Sequence, residues 1–146
     1  MRDLPRQLTA DELAELFEGR TRLVERLAEQ DDPLGSARGV IRDLSDEEKL
    51  EALNAHPAIG ARNLSARSAA EQGTDADPAV LTELAYQNQI YEEKFGFRFV
   101  VFVNRRSKAE ILDVLRERLQ RTREEELETA LEELVAIAED RWRRSS

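Results

Sequence analysis

Helix-start signals recur along this chain so regularly that they limit the class of fold it can adopt. Four times a Ser or Thr stands three residues before a Glu, and an apolar stripe of helical spacing follows: Thr9-x-x-Glu12, Ser45-x-x-Glu48, Ser107-x-x-Glu110 and Thr122-x-x-Glu125. In such a capping box, the hydroxyl and the carboxylate each accept a hydrogen bond from a backbone N–H that the start of a helix leaves unpaired. Asp77-Pro78 indicates another start, and Gly96 is placed to end that helix in the left-handed conformation. The spacing therefore predicts an all-α fold of about seven or eight helices.

One stretch breaks the helical pattern. Residues Phe97–Val103 read FRFVVFV, which is typical of a buried strand. The sequence contains no second run that could pair with it, and an isolated strand leaves its backbone N–H and C=O groups without partners. We therefore predict that this stretch is an extended, buried connector.

The composition favours one compact domain and excludes several functions. At 146 residues with 40% apolar side chains, the chain fits a single domain around one hydrophobic core. It contains no Cys and one His, so disulfides, thiolate chemistry and a structural zinc site of the usual kind are excluded, and no metal is expected. A net charge of −9 opposes binding to nucleic acid, whose phosphates require clustered cations.

Signals for a membrane or for secretion are absent from the sequence. No stretch approaches the roughly 20 apolar residues that cross a bilayer. The segment Met1–Gln7 alternates charge and lacks an apolar signal core, which makes the cytoplasm the expected compartment. Since no linker or internal repeat interrupts the chain, residues 1–146 are predicted to form one domain.

Three polar residues fall where the helical periodicity predicts apolar ones. They are Arg141 on the stripe of the last helix, Asn88 on the stripe of the helix that Asp77 begins, and His56 at the end of the Ser45 helix. Burying an arginine is costly unless it meets an anion, which is either a carboxylate of the protein or a ligand. Each residue also has a purely structural interpretation: Arg141 could extend into water near the chain end, Asn88 could bridge backbone groups, and His56 could cap a helix.

Several motifs occur together in an order and spacing that resemble one known family. The motifs are Leu53-x-x-His56-Pro57-x-Ile59-Gly60, Ser68-Ala69-Ala70-Glu71-Gln72, Asn88-x-x-Tyr91-x-x-Lys94-Phe95-Gly96-Phe97-x-Phe99-Val100-Val101, Arg118-Leu119 and Ile137-Ala138-x-x-Arg141. Taken alone, Ser68-x-x-Glu71 would be one more capping box. In this order the motifs are similar to those of the OHCU decarboxylase family of urate breakdown, over roughly residues 10–143. Ala58 stands where a charged residue is common in that family, and Trp142 where a smaller aliphatic residue is usual.

The resemblance implies a helical enzyme that needs no cofactor and no metal. Its substrate would be the small molecule 2-oxo-4-hydroxy-4-carboxy-5-ureidoimidazoline, and its products (S)-allantoin and carbon dioxide. The residues that correspond to the family's catalytic groups are His56, Glu71 and Arg141. Those that correspond to its substrate contacts are Pro57, Ser68, Gln72, Phe99, Val100, Val101, Phe102 and Val103. A homodimer is also compatible with the resemblance.

The chemistry of this reaction suits these residue types. The carboxylate-bearing carbon of the substrate adjoins a carbon–nitrogen double bond, so the ring itself accepts the electron pair that departing carbon dioxide leaves behind. A histidine side chain, with an ordinary pKa of about 6.5, can exchange a proton near neutral pH. The arginine fork suits a planar anion, whereas Glu71 can accept hydrogen bonds from the ureido group and Gln72 can both donate and accept them.

Two other functions are compatible with the sequence. The first is the same fold acting on another carboxylated heterocycle, which the departure at Ala58 leaves open. The second is a non-catalytic helical interaction module, in which Ser68 and Glu71 cap a helix and Arg141 pairs with an internal carboxylate. The module predicts that His56 and Arg141 lie far apart, whereas the enzyme predicts that both lie beside one pocket with Glu71.

Overall fold

The computed structural model describes residues 8–56 and 77–144. Within these two ranges it contains seven helices and no strand: α1 (Ala10–Phe17), α2 (Arg22–Ala28), α3 (Pro33–Arg42), α4 (Asp46–Asn54), α5 (Pro78–Phe95), α6 (Lys108–Arg118) and α7 (Arg123–Arg144). The prediction of an all-α fold is therefore confirmed. None of the described helices is both long enough and apolar enough to cross a membrane.

The chain divides into two compact units. The first, which we call the terminal unit, comprises Met1–His56 and Leu131–Ser146, and the second, which we call the central unit, comprises Pro57–Ala130. Helix α7 begins in the central unit and ends in the terminal unit. The single domain expected for residues 1–146 stays a prediction.

The four predicted capping boxes all form. At α1 the Thr9 N–H donates to Glu12 Oε1 at 3.0 Å, and the Glu12 N–H donates to Thr9 Oγ1 at 3.1 Å. The same reciprocal pair starts α4, α6 and α7. Helix α5 follows Asp77, whose Oδ1 accepts a hydrogen bond from the Ala79 N–H at 2.8 Å, and it ends at Gly96 with a φ of 81°. These ends are predictable from the sequence because a cap satisfies backbone groups only a few residues away.

In the terminal unit, α2 packs against α1, α3 and α4. The buried apolar side chains follow the predicted stripes: Leu13, Phe17, Leu23, Val24, Leu27, Leu34 and Leu53. The helical periodicity also places Leu50 inward, but it is only half-buried, because Glu48, Ala52 and Leu53 form the buried face of α4. Glu48 tolerates burial because its Oε2 accepts a hydrogen bond from Arg26 Nη2 at 2.8 Å.

In the central unit, α5 packs against α6, and four aromatic rings cluster at the end of α5. The ring centroid of Tyr91 lies 4.6 Å from that of Phe95, 5.9 Å from that of Phe97 and 5.2 Å from that of Phe99. These tilted and edge-on arrangements are the favourable geometries for aromatic pairs. The helical periodicity places Leu81 on one stripe with Leu84 and Tyr91, but Leu81 is 38% exposed, because burial along α5 begins only at Leu84.

The run Phe97–Val103 lies outside the helices and joins no strand among the described residues, as predicted. Five of its seven side chains are buried. Arginine side chains supply hydrogen bonds that a partner strand would otherwise make. Arg118 Nη1 donates to the C=O of Val100 at 2.8 Å, and Arg106 donates to the C=O groups of the last two residues of the run at 2.6 and 3.1 Å. The buried connector is thus stabilised without a sheet.

Candidate active site

His56 lies in the terminal unit, immediately after the C-terminal end of α4. The residue is 5% exposed, and its backbone N–H donates to the C=O of Leu53 at 3.2 Å, which extends the last turn of the helix. The prediction that His56 lies at a helix terminus is therefore confirmed. Burial at the end of a helix restricts the positions open to the imidazole, which suits a proton-transfer group.

Arg141 lies in the same unit and is 3% exposed, so the predicted inward position on α7 is confirmed. Its Nη1 donates to the C=O of Leu16 at 3.2 Å and forms an ion pair with Glu18 Oε1 at 3.0 Å. The anion beside Arg141 was expected to be either a carboxylate of the protein or a ligand, and the structure shows a carboxylate of the protein. The burial of Arg141 does not by itself require a ligand.

The turn between α1 and α2 contacts Arg141 and the residue that precedes His56. Glu18 in this turn contacts Arg141, while the next residue, Gly19, packs against Ala55, the neighbour of His56. A Cβ added at Gly19 would lie 3.3 Å from the Cβ of Ala55, so the two segments approach closely. Arg141 and Ala55, the residue before His56, therefore contact neighbouring residues of one turn.

Glu18 is a residue of this region that the sequence interpretation missed. It ends α1 in the left-handed conformation, with φ 63° and ψ 24°, and its N–H donates to the C=O of Ala14. The available signal was a carboxylate directly before Gly19 at the end of the first apolar stripe. That signal is weak, because nothing in the local sequence shows that Arg141 lies within reach.

The predicted substrate contacts Phe99–Val103 lie in the central unit beside a buried polar network. Arg118 Nε and the Tyr91 hydroxyl both donate to Glu126 Oε1 at 2.7 Å, and Arg121 Nη1 donates to Glu126 Oε2 at 3.0 Å. The guanidinium of Arg118 also lies 4.7 Å from the ring centroid of Phe99. Burial raises the pKa of the Tyr91 phenol above its ordinary value, so its hydroxyl stays protonated and donates. The network holds the connector through Arg118.

Asn88 is buried in the central unit, as its position on the α5 stripe predicts. Its Nδ2 donates to the C=O of Leu84 at 3.0 Å, one turn earlier in the helix. Within the described residues its Oδ1 has no hydrogen-bond partner. Of the two backbone contacts that the bridging hypothesis expects for Asn88, the described residues supply one, the C=O of Leu84.

The remaining predicted site residues, Pro57, Ser68, Glu71 and Gln72, lie outside the described residues. Their roles stay predictions. In the described ranges, 8–56 and 77–144, no three His, Cys, Asp or Glu side chains come together as metal ligands. In the terminal unit, the described candidate residues are His56 and Arg141; in the central unit, they are those of the connector Phe99–Val103.

Fold and site together define an all-α protein with a buried histidine and a buried, ion-paired arginine beside one interhelical turn. Comparison with known proteins gives its family. The family model described as OHCU decarboxylase matches residues 2–143. This chain belongs to the OHCU decarboxylase family, which confirms the resemblance found in its motifs.

Individual relatives agree with this assignment. The chain is 33% identical over 138 residues to a uric acid degradation bifunctional protein of Bacillus sp. (strain TB-90), a match that covers 86% of this chain and 27% of that protein. It is 32% identical over 103 residues to the 2-oxo-4-hydroxy-4-carboxy-5-ureidoimidazoline decarboxylase of Halalkalicoccus jeotgali, covering 67% and 58% of the two chains. The chain thus spans less than two thirds of the length of either relative.

A solved structure shares the fold. The crystal structure of OHCU decarboxylase in the presence of (S)-allantoin superposes with a TM-score of 0.75 and 29% sequence identity. The match covers 89% of this chain and 94% of the other. The similarity therefore extends over nearly the whole of both folds.

Proposed function

We propose that this chain decarboxylates 2-oxo-4-hydroxy-4-carboxy-5-ureidoimidazoline to (S)-allantoin and carbon dioxide in urate breakdown, without a cofactor. The observation that carries the proposal is the family match over residues 2–143, together with the fold shared with an OHCU decarboxylase. The relatives are named for the same reaction or for uric acid degradation. The buried His56 and Arg141 beside one turn supply groups that this chemistry can use.

In the proposed reaction, the bond between a ring carbon and the carboxylate breaks, and carbon dioxide leaves. The electron pair of that bond moves into the adjacent carbon–nitrogen double bond, and a proton is then delivered to one face of the ring. His56 assists this proton delivery from the end of α4. Arg141 binds the planar anionic or carbonyl part of the substrate through its fork of N–H donors.

The other predicted residues complete the proposed site. Glu71 accepts hydrogen bonds from the ureido N–H groups, and Gln72 both donates and accepts. The remaining proposed contacts come from Pro57, Ser68 and the backbone of Phe99–Val103. The Arg118 hydrogen bond to Val100, which holds the connector in one conformation, supports a role for this backbone in binding.

A non-catalytic interaction module is the second candidate function. The observation that favours it is the ion pair between Arg141 and Glu18, because that hypothesis expects an internal carboxylate beside the arginine. Family membership and the position of both residues beside one turn favour the enzyme. An activity assay separates the two.

The test is a coupled assay that generates the unstable substrate fresh. Urate is converted by uricase and a hydroxyisourate hydrolase, and the decay of the product is followed by circular dichroism with and without this protein. We expect rapid formation of one allantoin enantiomer, and decay at the spontaneous rate when His56→Asn replaces the wild-type protein. Spontaneous decay with the folded wild-type protein would contradict the proposal and favour another heterocycle or the interaction module.

A cytoplasmic location and a homodimer belong to the same proposal. The homodimer is tested by light scattering on the eluate of a size-exclusion column, where a mass near twice 16.7 kDa is expected. A mass of one chain at micromolar concentration would contradict it.

A further inference from the structure

The conformation of Glu18 at the end of α1 is unusual for its residue type. Its φ of 63° lies in the left-handed region, which is sterically unfavourable for a residue with a Cβ atom. Glycine adopts this region freely, and Gly19 is the next residue. The left-handed residue is nevertheless Glu18, and in this conformation its carboxylate lies 3.0 Å from Arg141 Nη1. The contact with Arg141 offsets the unfavourable backbone conformation.

Two contacts of Arg141 converge on a single nitrogen. Its Nη1 binds both the C=O of Leu16 and the carboxylate of Glu18, and both acceptors belong to the last turn of α1 and its cap. Because a guanidinium is planar and rigid, holding one nitrogen with two acceptors also fixes the direction of the whole fork. The end of α1 therefore helps to orient Arg141.

The same turn also lies against the end of α4. Gly19 packs on Ala55, and Ala55 directly precedes His56. A side chain at position 19 would crowd this contact, so the glycine permits the close approach. The segment Glu18–Gly19 thus touches the arginine on one side and the residue next to the histidine on the other.

We propose that Glu18 is a positioning residue for the decarboxylation, acting through Arg141. This inference rests on the proposed function. Its carboxylate holds Nη1 so that the arginine fork meets the substrate in one orientation, defined relative to His56 by the shared turn. Its negative charge also balances the buried arginine before substrate binds. A misplacement of about 1 Å in such a group can lower turnover about a hundredfold.

Two variants separate orientation from charge. Glu18→Gln keeps the size of the side chain and removes its charge, whereas Glu18→Asp keeps the charge, is one methylene shorter and is better tolerated in the left-handed region. We expect both to lower kcat, Glu18→Gln by about ten- to hundredfold. KM should not rise, because Arg141 keeps its charge and still attracts the anionic substrate. A residue with only a structural role would not produce this split between kcat and KM.

Glu139→Gln is the matched control. The Glu139 side chain is 14% exposed, like that of Glu18, and its ion pair with Arg38 at 3.2 Å lies in the same unit. This variant removes the charge of an equally buried glutamate whose ion pair is with Arg38 and not with Arg141, and we expect wild-type kcat and KM. Melting followed by circular dichroism shows that each variant is folded, and if Glu18→Gln does not fold, Glu18→Asp decides.

A double variant tests whether Glu18 acts through Arg141. In an Arg141→Lys background the fork is gone, so adding Glu18→Gln should change kcat less than about twofold. Such non-additive effects are expected when two residues act through one contact. Independent, multiplying effects would overturn the inference, as would wild-type kcat in folded Glu18→Asp. If the wild-type protein itself does not accelerate the reaction, the proposed function fails and this inference fails with it.

Discussion

Arg118 Nε donates to Glu126 Oε1 at 2.7 Å, and the two side chains are 6% and 0% exposed. The carboxylate also accepts from Tyr91 and Arg121, while Arg118 reaches on to the C=O of Val100. A buried ion pair is stabilised when further hydrogen bonds satisfy its two partners. The network satisfies both oxygens of Glu126 and two of the three nitrogens of Arg118, while Arg118 Nη2 has no hydrogen-bond partner among the described residues. The relationship joins α5, α6, the start of α7 and the connector within the central unit.

Removing the charge of Glu126 should destabilise the protein strongly. Glu126→Gln leaves the buried Arg118 without its counter-ion, and we expect the free energy of unfolding to fall by about 3–5 kcal/mol. Urea denaturation followed by circular dichroism measures this. Glu128→Gln, an exposed change two residues along the same helix, should alter the value by less than about 0.5 kcal/mol. Equal stability of the two variants would show that the network contributes little.

Two glycines should respond to alanine with opposite signs. Neither would bring its new Cβ within 4 Å of other atoms, so the effect depends on the backbone alone. Gly96 has a φ of 81°, and Gly96→Ala should cost about 1–2 kcal/mol. Gly39 lies within α3, and Gly39→Ala should stabilise by about 0.5–1 kcal/mol. Thermal melts of both variants check the signs, and a shift in the same direction would refute the backbone explanation.

Replacing His56 should affect catalysis far more than folding. We expect His56→Asn to lower kcat by about 10²–10⁴-fold, the usual contribution of a general acid–base group. The coupled assay gives the rate, and far-ultraviolet circular dichroism shows whether the helices are retained. A folded variant with wild-type turnover would remove His56 from the proposed mechanism.

The capping boxes should make stability fall in acid. Hydrogen bonds from the backbone N–H of the Ser or Thr cap lower the pKa of Glu48, Glu110 and Glu125 below the ordinary value of 4.5. Since the folded-state pKa is the lower one, these carboxylates contribute fully above about pH 4.5, and their contribution is lost as the pH falls through the folded-state pKa. Urea denaturation between pH 7 and pH 3 measures the decline.

A double variant isolates the capping carboxylates from the other acidic groups. Glu110→Gln with Glu125→Gln keeps both capping boxes, because glutamine also accepts the backbone hydrogen bond, but it removes the titrating groups. We expect its stability to depend less steeply on pH below 4.5 than that of the wild type. An unchanged slope would assign the acid sensitivity to other carboxylates.

Local sequence patterns predicted the starts of α1, α4, α5, α6 and α7 and the left-handed cap at Gly96, and they placed His56, Asn88 and Arg141 at inward positions. The sequence also predicted that Phe97–Val103 is extended, since no second run could pair with it. These features depend on residues a few positions apart, because helical periodicity and capping are local interactions. The order of the motifs along the chain likewise predicted the family.

The partners of the buried polar groups depend on tertiary packing. The contact between Arg141 and Leu16 joins residues 125 positions apart, and no local pattern connects Glu18 with either His56 or Arg141. Similarly, the sequence showed that the connector lacks a partner strand, but it did not show that Arg118 donates a hydrogen bond to Val100 in place of one. Leu81 is exposed although it lies on the apolar stripe of α5, because its part of the helix is not covered by the core. Periodicity shows which face of a helix turns inward, but the packing of distant helices decides what that face meets.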